Sequence, residues 1–307
     1  MRTRQFIADI CLISLILSFV CGCTPEPELF VRPELGQTVT YKTSMQMQKS
    51  VKFDRPSASM QKQDTTMSRY EMIYEQTPKD TDEKGNIVAD IKIKSLKYIS
   101  KANDEINIDF DSQRQQDADR PLAALIGKSY TITMSSEGQV LEIANAEDIR
   151  QAVTESSDKK LADNLLVDES IMKRHSVKAF PEAKNRKIAV GDTWSRKETP
   201  QVGLMIPKTF EKIYTVKNIA SNIATIQMNA VPAAQTQASP LGELFDSQDD
   251  FSGELIVNIS SGKVIKYRES LTSISLTAQK PGGGTSSTPL DVLEISLSWM
   301  HSIQALD

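Results

Sequence analysis

The chain is poor in the residues that build most cross-linked and catalytic sites: its 307 residues include three cysteines, two histidines and two tryptophans. All three cysteines, Cys11, Cys21 and Cys23, lie near the start, so the rest of the chain has no disulfide and must be stabilised by packing. His175 and His301 are far apart and have no cysteine near them, which makes zinc a poor expectation. No Gly-x-Ser-x-Gly elbow is present. Ser135, Ser136, Ser260 and Ser261 precede glycines and read as turn residues, which leaves a Ser-His-acid hydrolase as a minor alternative. The acidic loops at Asp109, Asp111, Asp117 and Asp119, and at Asp246, Asp249 and Asp250, offer oxygen ligands for calcium. They lack the glycine and closing glutamate of an EF-hand loop, and solvated acids are the commoner outcome. No basic cluster suited to phosphates stands out, which argues against a nucleic-acid partner.

The N-terminus has a recognisable layout. Arg2 and Arg4 precede an uncharged, proline-free run of eleven residues, Ile10 to Val20, with Asp9 before it and a proline- and acid-rich stretch after it. A membrane-spanning helix needs about 20 apolar residues, so the run reads as a signal peptide. Without residues 1–22 the net charge of −4 becomes about −5, which offers no second, electrostatic membrane contact. The roughly 285 residues left suffice for one large or two ordinary domains, and 39% hydrophobic with 25% charged residues is a globular composition.

The run ends in Val20-Cys21-Gly22-Cys23, which resembles the lipobox of bacterial lipoprotein signal peptides. The resemblance implies a diacylglyceryl thioether on Cys23, cleavage between Gly22 and Cys23, and acylation of the new amino group. Cys21 at minus two and Asp9 depart from the usual pattern, and an ordinary secretory signal is the alternative. Each buried methylene contributes about 0.8 kcal/mol and stable anchoring takes two chains or signals, so such an anchor is effectively permanent. Thr24, rather than Asp, after the cysteine implies outer-membrane sorting toward the periplasm in a Gram-negative host.

Matched segments recur in the same order in both halves. Leu35–Val39 pairs with Val190–Trp194 through Gly191 and Trp194, Tyr70–Tyr74 with Phe210–Tyr214, and Asn86-Ile87 with Asn222-Ile223. Phe110-Asp111-Ser112-Gln113 recurs as Phe245-Asp246-Ser247-Gln248, and Ile132–Val140 pairs with Val257–Val264, aligning Gly138 with Gly262. The offset falls from 155 to 124, as deletions in a second copy would produce. An internal duplication is expected, with Asp111 and Asp246 capping backbone amides at strand ends.

The repeated unit reads as antiparallel β. Apolar residues alternate over Tyr130–Met134, a Ser-Ser-Glu-Gly turn follows, and Val140–Ile143 returns, with Gly138 and Gly262 where φ must be positive. Further strands are expected over Ile87–Ile93, Ile106–Phe110, Ile223–Ala230, Leu255–Ile259 and Leu293–Trp299, with sheets wet on one face. Over Val264–Thr277 the apolar phase shifts from Ile265, Tyr267 and Leu271 to Ile274 and Leu276, which predicts a bulge near Thr272. A helix capped by Asn145 and Asp148 and a second over Lys159–Ala179, ending before Pro181, are expected to close one end of the sheet or fill its concave side. Ala233–Pro240 and Pro281–Pro289 read as loops, and Thr24–Pro33 as a stiff spacer.

The resulting expectation is a mainly β (α+β) fold: two related, curved antiparallel halves with one or two helices between them. The divisions are a leader (1–22), a lipidated cysteine with spacer (23–33), a first repeat (34–157), a helical connector (158–187) and a second repeat (188–307). On Phe-Asp-Ser-Gln, Leu125-Ile126-Gly127-Lys128, the Ser-Ser-x-Gly hairpin, Phe180-Pro181 and Val190–Trp194, the chain resembles a family of uncharacterised secreted lipoproteins of planctomycete-like bacteria. The resemblance covers most of residues 34–303 and implies a fold and a location, not an activity.

The expected function is therefore a non-enzymatic envelope module anchored through Cys23, without a cofactor, that binds an envelope protein or an unidentified ligand. The alternative is a carrier for an apolar ligand such as lipid. Core packing is the expectation for Trp194, Trp299, Tyr70, Tyr74, Phe210 and Tyr214. If the two sheets curl without meeting, the same residues line an apolar groove, and a continuous apolar cavity would favour the carrier.

Overall fold

The computed structural model describes residues 26–153, 157–183, 186–204, 207–233, 245–279 and 290–306. Gly22, Cys23, the signal segment, the loop expected over 281–289 and most of that over 233–240 lie outside these residues, as do the side chains of Phe245 and Asp246.

The fold is mainly β, as expected. The first half supplies β1 (Val39–Arg55), β2 (Met60–Thr81), β3 (Ile87–Ala102), β4 (Glu105–Asp111), β5 (Ser129–Met134) and β6 (Val140–Ala144). The second supplies β7 (Thr193–Glu198), β8 (Phe210–Ala220), β9 (Ile223–Pro232), β10 (Phe245–Asn258), β11 (Lys263–Gln279) and β12 (Asp291–Ala305). They form one open sheet in the order β6-β5-β3-β2-β1-β12-β11-β10-β9-β8-β7, with β4 on β3. The halves are thus joined edge to edge: β12 runs antiparallel to β1 from Ala305 opposite Tyr41 to Val292 opposite Asp54. Pairing these long strands covers two edges that would otherwise present free N–H and C=O groups.

Each half contains a five-stranded antiparallel meander, β1-β2-β3-β5-β6 and β7 to β11. Most matched segments fall at equivalent points. Gly36 donates to Pro78 O at 2.8 Å before β1, and Gly191 donates to Val216 O at 2.9 Å before β7. The Phe-Asp-Ser-Gln pair departs from this: Phe110 and Asp111 end β4, whereas Phe245 and Asp246 open β10. Asp111 Oδ1 accepts the Gln113 N–H at 2.9 Å, and Ser112 Oγ accepts the Leu96 N–H at 3.0 Å. Ser247 lies in β10, opposite Ser275.

Strict alternation explains the core. On β3, Ile87, Ala89, Ile91 and Ile93 are buried, and on β5, Tyr130, Ile132 and Met134. The outer phase of these strands is wetter, which is what lets a single curved sheet fold. The bulge expected near Thr272 is elsewhere. The β10–β11 register shifts between Ile256 and Val257, where Lys266 and then Val264 are the partners and Ile265 is the extra residue. From Tyr267 to Thr277 the inward face alternates without interruption, carrying Glu269, Ser273, Ser275 and Thr277 beside Leu271, while Ile274 is exposed. Hydropathy misleads there because the buried side of β11 is partly polar.

Three helices link the halves: α1 (Ala146–Gln151), α2 (Ser157–Leu166) and α3 (Asp168–His175). Asn145 does not cap α1 with its side chain. It sits at φ 65°, a left-handed conformation Asn tolerates but not the extended one that side-chain N-capping uses. The single helix expected over Lys159–Ala179 is two, broken at Val167, which is extended (φ −66°, ψ 145°). In α3, Asp168 and Glu169 open the helix and Lys173, Arg174 and His175 close it, which complements the helix dipole.

The sheet curls around this connector. Arg196 of β7 donates to Phe180 O at 2.7 Å and lies 3.6 Å from Glu137 in the β5–β6 turn, so the two outer edges approach each other without pairing. Much of the segment expected to be a stiff spacer is docked. Leu29 and Val31 are buried, Leu29 N–H donates to Arg186 O at 2.7 Å, and Val31 N–H donates to Ser136 O at 2.9 Å. The guanidinium carbons of Arg32 and Arg186 lie 4.6 and 4.9 Å from the centroid of the Phe30 ring. The close fit needs Gly262: a Cβ there would stand 2.4 Å from Phe30 O and Arg32 N. Gly138 likewise has φ 77° and lies against the Val177 carbonyl.

Candidate functional site

A cavity of about 660 Å³ lies between α3 and the inner face of the second half, walled by residues of β7, β8, β10, β11 and β12 and the chain after β7. Strand alternation places its chemistry. Phe210, Lys212, Tyr214 and Val216 share the inward phase of β8, as Tyr267, Glu269 and Leu271 do on β11. Lys212 is 1% exposed. Its Nζ lies 2.8 Å from Glu269 Oε1, 2.5 Å from Glu198 Oε2 and 4.5 Å from the centroid of the Phe251 ring.

These charges hold one another ionised. Burial disfavours the Lys212 ammonium, but Glu269 and Glu198 outweigh it and raise its pKa. Burial likewise pushes Glu198 up, and Lys212 with Lys178 overrides this to bring it down to about 2. Lys178 Nζ is 2.8 Å from Glu198. Tyr267 is pushed well up, first by burial and then by the adjacent Glu269, which its side chain hydrogen-bonds. A charged triad with all members satisfied tolerates such burial, whereas a broken one does not.

Above the triad, Lys173 of α3 donates to Gln201 O at 3.2 Å, and its Nζ lies 5.0 Å from the Trp299 ring centroid. Burial lowers its pKa. Trp299 is 4% exposed, and its Nε1–H has no acceptor among the described residues. His301 completes this side. Burial, then Lys173 and Arg174, push it down to about 3, and its Nε2 is 3.4 Å from Thr43 Oγ1. Arg174 is fully buried, with Nη1 3.4 Å from the Tyr130 hydroxyl and Nη2 on Leu165 O.

The other candidate residues are dispersed. His175 bonds Tyr130 at 2.6 Å and lines a small cavity that Ser261 also borders, but each turn serine is engaged by a different partner. Ser135 Oγ accepts the Glu137 N–H, Ser136 Oγ accepts from Arg186, Ser260 Oγ donates to Asn258, and Ser261 Oγ accepts the Lys263 N–H. Asp109 and Asp117 engage Arg114, Asp111 engages Lys97, and Asp249 engages Lys208. No group of three metal-ligating side chains occurs among the described residues. Trp194 stacks on Tyr214 at 5.7 Å in a separate polar recess with Arg186 and Asp192. Tyr74 and Phe210 are core residues. Of the aromatic residues singled out in the sequence, Trp299 lines the cavity.

Sequence reasoning missed Lys212, Glu269, Glu198 and Lys173. The available signal was a charge in the inward phase of an otherwise apolar strand, as in Phe210-x-Lys212-x-Tyr214 and Tyr267-x-Glu269-x-Leu271.

A family of unknown function (DUF6263) matches residues 84–262. The chain belongs to this family. The DUF6263 match runs from the β2–β3 turn through the connector to Gly262, so it includes Lys173, Glu198 and Lys212 and leaves out Glu269, Trp299 and His301. No curated protein matches the chain. Among solved structures, one described as lipid-protein interactions in lipovitellin aligns over 89% of this chain and 25% of its own, at 12% identity and a TM-score of 0.46. The present chain thus spans about a quarter of the lipovitellin chain. DynF from the dynemicin biosynthesis pathway of Micromonospora chersina aligns over 91% of this chain and 89% of its own, at 7% identity and a TM-score of 0.14. Both TM-scores fall below 0.5, and neither likeness bears on function.

Proposed function

We propose that this DUF6263 protein is a lipid-anchored envelope protein that binds a small, partly apolar ligand in the cavity under α3. The observation that carries the reading is the cavity itself: about 660 Å³ lies within the range of small-molecule sites. Val140, Met172, Val202, Phe251 and Trp299 supply its apolar wall. It is a binding protein rather than an enzyme in this reading, since Lys212, Lys178, Glu198 and Glu269 are bound up in one another. The cavity is not purely apolar, which favours a ligand with a polar end over a plain hydrocarbon.

The anchor belongs to the same proposal. It rests on the Val20-Cys21-Gly22-Cys23 lipobox and implies attachment at Cys23 to the outer membrane, with the domain facing the periplasm. No helix among the described residues is long and apolar enough to cross a membrane. Docking of the chain from Pro27 onward leaves three residues, Thr24 to Glu26, between Cys23 and the domain. A chain can reach at most about 3.3–3.6 Å per residue, so an anchor at Cys23 would keep the domain near the bilayer, where an amphiphile is available. The paired meanders support descent from a duplicated unit.

Mass spectrometry of organic extracts from the full chain carrying Cys23→Ser tests the reading. A co-purifying small amphiphile is the expected result, and an empty extract together with no uptake of added amphiphiles refutes it. Labelled palmitate is expected to enter the unsubstituted chain and not the Cys23→Ser variant.

A further inference from the structure

The cavity's polar groups are unequally committed, and that inequality selects a ligand. Glu198 and Glu269 are engaged by Lys212 at 2.5 and 2.8 Å, and Glu198 also by Lys178 at 2.8 Å. What remains is two donors in the interior and one carboxylate, Glu169, exposed at the cavity's rim. Among the described residues Lys173 has one hydrogen bond, to Gln201 O, and the carboxylates that act on it, Glu198, Glu169 and Glu269, do so from beyond direct contact. The Trp299 Nε1–H, on the ring that Lys173 covers, has no acceptor among the described residues. Two buried or half-buried donors side by side in an apolar-walled cavity need an acceptor, because an unsatisfied buried donor bears its full desolvation cost.

We infer that the cavity binds an anionic amphiphile, with its carboxylate or phosphate held by Lys173 and Trp299 Nε1 and its hydrocarbon part against Phe251, Met172 and Val202. This inference rests on the binding reading above and narrows it to a charge class. A cationic amphiphile would meet Lys173 and Lys212, and the one uncommitted carboxylate on the wall, Glu169, is exposed to water. A neutral one would give the ammonium no charged acceptor in direct contact, and hydrogen bonds in which both partners are charged are about twice as strong as neutral ones. Lys212 is not the anchor, because it already has two carboxylates.

The test uses the full chain carrying Cys23→Ser, titrated calorimetrically with dodecanoate, dodecyl phosphate and dodecanol, before and after Lys173→Met. Both anions are expected to bind at least roughly tenfold more tightly than dodecanol, which is ~1.4 kcal/mol. Lys173→Met is expected to abolish that preference while leaving dodecanol affinity within about twofold, and Lys173→Arg to retain it. A preference for only one anion identifies the head group and supports the inference. Equal binding of dodecanol and the anions overturns it and leaves the binding reading standing. A preference that survives Lys173→Met in a folded variant overturns the assignment of the head group to Lys173. Failure of all three probes to bind overturns the binding reading and this inference with it.

Discussion

Lowering the pH from about 7.5 to about 5 is expected to destabilise this protein before its carboxylates begin to titrate, and two buried histidines set the size of the effect. His301 is 2% exposed. It faces Thr43 on β1, Tyr267 and Glu269 on β11, Lys212 on β8, and Lys173 and Arg174 on α3. Glu269 is committed to Lys212, so the charges felt by the ring are mainly cationic. Burial and those cations bring its pKa from 6.5 to about 3. The unfolded chain therefore takes up a proton near pH 6.5 that the folded chain refuses. The stability contributed by neutral His301 is complete above pH 6.5 and is lost as pH falls toward about 3. At about pH 5 the loss from this one residue is ~2 kcal/mol, using 1.36 kcal/mol for each unit. His175, pushed well below 6.5 by burial and then Arg174, adds to it with the same sign. Against a total stability of roughly 5–15 kcal/mol this is a large fraction. Urea unfolding followed by tryptophan fluorescence at the two pH values measures it, with His301→Gln expected to flatten the dependence by its own share. A free energy that is the same at both pH values, or a slope unaltered in the His175→Gln, His301→Gln double variant, refutes the reasoning.

Removing the central cation of the triad by Lys212→Met leaves Glu269 buried without its partner and the half-buried Glu198 with Lys178 alone, and should cost ~3–5 kcal/mol in chemical denaturation. Combining it with Glu269→Leu should recover part of that loss, because the stranded charge goes too. Glu198 adds a second acid-labile phase: its contribution is complete above pH 4.5 and lost as pH falls toward about 2, which appears as a further drop in stability below the histidine window. Gly262→Ala puts a Cβ 2.4 Å from two backbone atoms of the docked N-terminal segment at a φ of 64°. A loss of ~2 kcal/mol or more is expected, together with faster chymotryptic cleavage after Phe30.

Much of the architecture was legible because sheet formation has a period of two that hydropathy reports directly. The Tyr130–Ile143 hairpin, the strand starts at Ile87 and Ile223, and the left-handed glycines at 138 and 262 all follow from local patterns. Local pattern failed where burial and polarity part company. On β11 the inward face continues through Ser273, Ser275 and Thr277, so the outward-facing Ile274 and Leu276 looked like a change of phase. The docking of Leu29 and Val31 was likewise obscured by the prolines around them.

The sequence alone determined the class of the fold, the alternation of each strand, the place of the connector and the lipobox that points to Cys23, because each depends on residues close together in the chain. Tertiary structure decided that two halves make one curled sheet, that β12 meets β1, and that Lys212, Glu269, Glu198 and Lys173 surround a single cavity. Those residues come from four different elements spread over about a hundred positions. Their proximity depends on how far the sheet bends around α3, which is set by long-range packing and leaves no mark on any one segment.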